Sequence, residues 1–255
     1  MWTRKTPAEI RAQPRSDSPA LPIWRRLLVH LRGHVLLFDQ KPASQHDLPA
    51  GTRLLVIFVV LEALRLGVFR LFYPLLPLLI LVPLFLGCAL LSVRFVAGLR
   101  LSKIGLNPWR KWTATEKSYF VQLLIIANVV FPVVFAPRLA TILTQPSAPR
   151  VLANVFVPYF FFGFYQEVVY RGILQSELVR RWGAVIGILA ANVLYTFGPL
   201  HWHYFSPLAI PMLASIFAIG LFFGVLFRRS GNLWIVAVIH GIGNAYIVGS
   251  LGSTQ

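Results

Sequence analysis

Acidic residues are scarce in this sequence. Eight Asp and Glu stand against 24 Lys and Arg in 255 residues, giving a formal net charge of +16. Charged residues of both signs make up only 13% of the chain, where about 25% is usual for a soluble domain. Cys88 is the single cysteine, which excludes an internal disulfide. No His-Glu-x-x-His stretch occurs, so the strong helical zinc-protease signature is missing. His201, His203, His240 and Glu167 are the residue types that hold zinc, but without that signature a metal-independent site is expected, and no cofactor is implied. No repeat relates the two halves, which counts against a proton-coupled transporter built on inverted repeats. The first apolar run follows roughly fifty polar residues, so no cleavable signal peptide is expected.

What is abundant is apolar: 57% of the residues are hydrophobic. They gather into seven segments, at about 54–72, 75–93, 118–137, 151–180, 183–200, 208–227 and 233–250. The pattern predicts an all-α, polytopic membrane helix bundle with about seven transmembrane helices. A net charge this basic on a soluble chain would point to nucleic acid. Here the basic residues lie between apolar runs, so membrane orientation explains them better. With the N-terminus cytoplasmic, the inner side receives loop 94–117, the Arg180–Arg181 turn and the Arg228–Arg229 turn. The outer side receives loop 138–150 with only Arg138 and Arg150, and loop 201–207 with no Lys or Arg. Anionic lipid headgroups are the expected electrostatic partner.

Two parts are expected. Residues 1–50 read as a basic cytoplasmic arm. Its first 23 residues are polar and Pro-rich, and 24–38 is either an interfacial amphipathic helix or a helix packed on the inner end of the bundle. His30, His34 and His46 of this arm receive no role. Residues 51–255 read as the membrane domain, with its core motifs within 160–250. Glu62 and Arg65, three apart in the first apolar segment, are expected to pair. Pro77 and Pro83 are expected to kink the second. Trp182, Trp202 and Trp234 suit interfacial aromatic belts.

Three short patterns carry chemistry. Gln166-Glu167-x-x-x-Arg171 puts a carboxylate and a guanidinium four apart, on one helical face. Phe197-x-x-x-His201 follows, and then His240-x-x-x-Asn244. Ionisable groups at membrane depth are costly and are retained mainly for function. At 1.5 Å per residue, Glu167 lies about 20 Å, His201 about 27 Å and His240 about 12 Å from the inner face, so they meet only at middle to outer depth. A carboxylate and a histidine sharing a water can activate it. A second histidine with an asparagine amide can stabilise an oxyanion. Each pattern alone also fits a structural reading: a Glu–Arg helix tie, a solvated boundary histidine, an interhelical hydrogen-bond set.

Taken in order, the three patterns resemble the CAAX-protease and bacteriocin-processing family, also called the Abi family. Its pattern is Glu-Glu-x-x-x-Arg, Phe-x-x-x-His, His-x-x-x-Asn, and the resemblance covers about residues 95–250, including Ile104-Gly105-Leu106. It implies a glutamate-dependent intramembrane endopeptidase that cuts peptide bonds without a covalent intermediate. One position departs: the first glutamate, regarded in the family as the base, is Gln166 here. Three readings stay open. Glu167 is the base and Gln166 orients water or substrate; the chain is an inactive relative that binds without cutting; or Gln166 is an engineered change. On the first, Glu167 activates water with His201, Arg171 orients Glu167, and His240 and Asn244 hold the oxyanion. The expected substrate is a membrane-anchored protein or peptide, and a bacterial inner membrane is the expected location.

Overall fold

The computed structural model describes residues 52–72, 76–202 and 205–251, all in the compact unit Phe38–Gln255. The 1–50 arm, the helix expected at 24–38 and His203 lie outside the described residues. Every regular element described is helical. We label eight helices: α1 Arg53–Phe72, α2 Leu78–Leu91, α3 Ala114–Val134, α4 Ala136–Leu143, α5 Val157–Glu167, α6 Ser176–Phe197, α7 Ile210–Ser230 and α8 Leu233–Leu251.

The seven expected segments all appear as helix. Residues 148–197 are assigned helical throughout, 50 residues in all. Drawn straight, the run would extend about 75 Å, more than twice the ~30 Å of a bilayer's hydrocarbon core. Gly183, at φ 79° and ψ 172°, breaks it. That left-handed φ is open to glycine at little cost, and it turns the run into two segments, as the sequence suggests. Four stretches are long and apolar enough to cross a membrane: Leu78–Val96, Ala114–Val134, Ala148–Phe197 and Ile210–Ser230. α1 is not among them, since Arg53, Glu62, Arg65 and Arg70 interrupt it. Its Glu62 and Arg65 pair as expected, in a two-pronged contact at 2.8 and 3.2 Å, and both are buried.

The boundaries differ in two places. The expected loop 138–150 is largely helical, holding α4 and the turn Ala148–Val151. Pro137 and Pro149 start these pieces, at positions where the missing N–H costs nothing. Loop 94–117 ends in a capping box: Thr113 Oγ1 accepts from Glu116 N at 3.1 Å, and Glu116 Oε2 accepts from Thr113 N at 2.7 Å. Glu116 Oε1 also accepts from Asn232 Nδ2 at 3.0 Å, tying the start of α3 to the turn between α7 and α8. Leu233 N donates to Gly105 O at 2.9 Å, and Asn107 Nδ2 to Gly231 O at 3.1 Å. Gly105 has φ 91°, and a Cβ there would sit 2.5 Å from Phe227 Cε2. The Ile104-Gly105-Leu106 stretch is thus the clasp between this loop and the last two helices.

Polar groups turn inward and apolar groups outward, as in a bundle whose solvent is lipid. Glu167, Ser176, Thr196 and Asn232 are fully buried, while Val133 and Val185 are more than 70% exposed. Trp182 and Trp202 face outward too.

Candidate active site

α5 and α8 meet at two glycines. A Cβ on Gly163 would lie 2.8 Å from Gly241 Cα, and one on Gly241 would lie 2.6 Å from Phe160 O. This close approach sets Gln166 and Glu167, at the end of α5, beside His240 and Asn244 in α8. Past Glu167 the helix widens into a π stretch, Val168–Gln175. Such widening is frequent at functional sites, and it carries Arg171.

Two hydrogen bonds join the helices. His240 Nδ1 bonds Glu167 Oε1 at 2.6 Å, and Asn244 Nδ2 donates to Gln166 Oε1 at 3.1 Å. Arg171 Nη1 lies 3.3 Å from the same Glu167 oxygen, so the expected pair forms with both side chains buried. Arg171 Nη2 donates to Gly220 O at 3.1 Å. Its guanidinium lies 4.1 Å from the centre of the Tyr195 ring, a stacked cation–π arrangement. Gln175 Nε2 donates to Gly224 O and Asn192 Nδ2 to Phe217 O, each at 2.9 Å. Three polar side chains therefore grip a row of α7 carbonyls. Gly220 leaves them room: a Cβ there would come 2.2 Å from Asn192 Oδ1 and 2.9 Å from Arg171 Nη2.

His201 follows α6. Its Nδ1 bonds Tyr195 O at 2.8 Å, and its ring stands edge-on to Tyr195 with centroids 5.0 Å apart. The Tyr195 phenol reaches the other side: its oxygen is 3.3 Å from His240 Nε2.

These side chains surround a cavity of about 850 Å³, within the range usual for ligand sites. Gln166, Tyr195, His201, His240, Asn244 and Arg65 are among its polar lining. Val82, Phe131, Phe162, Ile216, Ile219 and Phe223 are among its apolar lining. Glu167 and Arg171 do not line it. The structure thus gathers the six sequence-derived residues, in an order the motifs do not state. Glu167 stands behind His240, bonded to its Nδ1. Gln166 is the motif's member at the cavity surface. Among the described residues no cluster of three or more His, Cys, Asp or Glu could hold a metal ion.

Tyr195 is not among the residues the sequence singles out, and Arg65 is expected there only as the partner of Glu62. For Tyr195 a signal was present. Asn192, Tyr195 and Thr196 fall at i, i+3 and i+4, a polar face on an otherwise apolar helix, and all three are buried.

Chemically, the Nδ1 contacts decide what each imidazole offers. With Nδ1–H donating to the Glu167 carboxylate, His240 presents Nε2 as an acceptor. With Nδ1–H donating to the Tyr195 carbonyl, His201 does the same. Gln166 takes Asn244's N–H on its carbonyl oxygen, so its amide nitrogen is the side it can offer a ligand: a donor, not a base.

Residues 148–246 match the family model described as type II CAAX prenyl endopeptidase Rce1-like. Comparison with curated proteins and with solved structures gave no significant match. The matched stretch holds all three motifs, from Gln166 to Asn244, and runs through the π stretch, α6, α7 and most of α8. Over residues 148–246 the chain is thus similar to a family of type II CAAX prenyl endopeptidases, and its described residues form a helical bundle with four stretches long and apolar enough to cross a membrane.

Proposed function

We propose that the chain is an intramembrane endopeptidase that hydrolyses a peptide bond of a membrane-associated protein or peptide by activated water, with no covalent intermediate. One observation carries this reading: two histidines and an amide pair converge on one wall of an apolar cavity, with a buried carboxylate backing one histidine. Water held between His201 and His240 adds its oxygen to the scissile carbonyl carbon. Its proton passes to the His240 side, where the Glu167 carboxylate stabilises the imidazolium that forms. The carbonyl oxygen becomes an oxyanion, held by N–H groups of Asn244 and Gln166. The C–N bond then breaks and His240 returns the proton to the departing amine. Arg171 fixes Glu167 and balances its charge.

Residues 51–255 form the protease domain in this reading, and 1–50 a basic arm against anionic headgroups of a bacterial inner membrane. Trimming of C-terminal anchors during protein sorting fits a cavity with this apolar lining. A second reading, a non-catalytic binder of the same fold, is favoured by Gln166, which puts an amide at the cavity wall where a proton acceptor would serve catalysis.

The two readings separate in a mass-spectrometric comparison of membrane-protein C-termini. Three strains are compared: one lacking the protein, one with it, and one with His240→Ala. New C-termini only with the unaltered protein are the expected result, and they identify the substrate. Matching profiles in all three overturn the protease reading in favour of the binder.

A further inference from the structure

Tyr195 touches all three motifs. Its ring lies under the Arg171 guanidinium at 4.1 Å. Its carbonyl holds His201 Nδ1 at 2.8 Å. Its phenol oxygen is 3.3 Å from His240 Nε2, and the side chain lines the cavity. Rigid packing keeps it there: Tyr170 meets it edge-on at 5.3 Å, and the residue is 6% exposed.

The direction of the phenol hydrogen bond follows from the far side of the imidazole. The Glu167 carboxylate, its Oε1 2.6 Å from Nδ1, accepts from Nδ1–H, and in the neutral imidazole Nε2 then carries the lone pair. The Tyr195 O–H therefore donates to Nε2. Phenol, imidazole and carboxylate form a chain that runs from the cavity wall to a buried anion. Its cavity end is an oxygen whose proton already points at a base.

We propose that Tyr195 is a catalytic residue, the cavity-side end of a Tyr195–His240–Glu167 proton relay that does the work Gln166 cannot. The proposal rests on the protease reading above and adds the path of the proton. As the water oxygen bonds to the carbonyl carbon, its proton passes to the Tyr195 oxygen and the phenol proton passes to His240 Nε2. Tyr195 stays neutral, and His240 becomes an imidazolium beside Glu167. When the C–N bond breaks, the same two transfers run in reverse: Tyr195 protonates the amine nitrogen and is reprotonated by His240. Every proton is accounted for, and no oxidant, metal or further reactant is needed. Gln166 then keeps one role, as an amide donor to the substrate.

The test uses the full-length protein in nanodiscs and an internally quenched, farnesylated CAAX peptide, the chemistry the matched family's description names. Tyr195→Phe keeps the ring beneath Arg171 and the carbonyl that holds His201. It is expected to lower kcat by about 10²-fold or more, as loss of a general acid–base group does, with KM unchanged. Adding Gln166→Glu to Tyr195→Phe restores much of kcat, because a carboxylate at the cavity wall takes the proton instead. Incorporation of 3-fluorotyrosine at position 195, which preserves shape and lowers phenol basicity, moves the alkaline limb of the kcat profile to lower pH. An unchanged kcat in Tyr195→Phe, or an unmoved limb with fluorotyrosine, overturns the assignment while the protease reading stands. If the unaltered protein leaves the peptide intact and the comparison of membrane-protein C-termini also finds no new terminus, the protease reading itself fails, and the relay with it.

Discussion

Glu167→Gln will lower the rate of peptide-bond hydrolysis by about 10²–10⁴-fold, the span for an acid–base partner, and will also loosen the fold. The reason is charge rather than shape. Oε1 serves both His240 and Arg171, at 2.6 and 3.3 Å, and a glutamine oxygen could take its place geometrically. In the native cluster Arg171 and Glu167 cancel, so protonating His240 during turnover creates one net buried charge. In the variant Arg171 is already uncompensated, and the same proton makes two cations in contact. At rest, the unpaired buried guanidinium costs about 3–5 kcal/mol, somewhat reduced here by Gly220 O and the Tyr195 ring. Glu167→Gln with Arg171→Gln removes both charges. This double variant should regain most of the thermal stability in detergent and none of the activity. Activity that returned with the stability would show that Glu167 acts only as a structural anchor.

The second large effect lies away from every polar group. Gly163→Val will cost at least about 10²-fold in activity, as a misplacement near 1 Å does, and about 1–3 kcal/mol in stability through overpacking. The atoms a side chain would meet at Gly163 are all backbone: Gly241 Cα at 2.8 Å, Gly241 N and His240 O at 2.9 Å. Backbone cannot swing aside, so α5 and α8 must separate. Those helices carry opposite halves of the site, and both hydrogen bonds between them, His240–Glu167 and Asn244–Gln166, must stretch. Gly87→Ala in α2, where a Cβ meets nothing within 4 Å, is the control and should leave both properties intact. Cleavage rate and thermal unfolding of the two variants, measured together, check the prediction. A Gly163→Val protein of normal activity would mean the helix contact does not position the site.

The sequence makes the segment count, the Glu62–Arg65 pair and the three motifs readable, because each depends on spacing along one helix. Apolar length, i,i+3 and i,i+4 are local quantities. What spacing does not carry is rotation between helices. Gln166 and Glu167 are neighbours in sequence and point to different places, one to the cavity and one behind His240. Only the α5–α8 contact at Gly163 and Gly241 decides which is which. For the same reason spacing does not show that the direct bond of Glu167 runs to His240, while His201 bonds the Tyr195 carbonyl of its own segment. The capping box at Thr113 and Glu116 and the buried face of Asn192, Tyr195 and Thr196 were readable in principle. In a chain so apolar, polar periodicity within a span is the quieter signal and is masked by hydropathy. The helix α4 was hidden because two prolines and several polar residues suggest a loop, although Pro at a first turn favours a helix.

The burial of Glu167 also bears on inhibition. An inhibitor carrying a cationic group gains affinity where a pocket offers a carboxylate to it. Here such a group would find an amide and two imidazoles at the wall, while the anion lies behind them already bound to Arg171 and His240. Cationic compounds should therefore bind this cavity weakly, and compounds presenting a carbonyl or phosphoryl oxygen to Gln166 and Asn244 should bind it well. A matched pair of ligands differing only in that group, titrated against the unaltered protein and Gln166→Glu, should exchange their order of affinity. The pharmacology of the site is set by which of two adjacent residues faces inward.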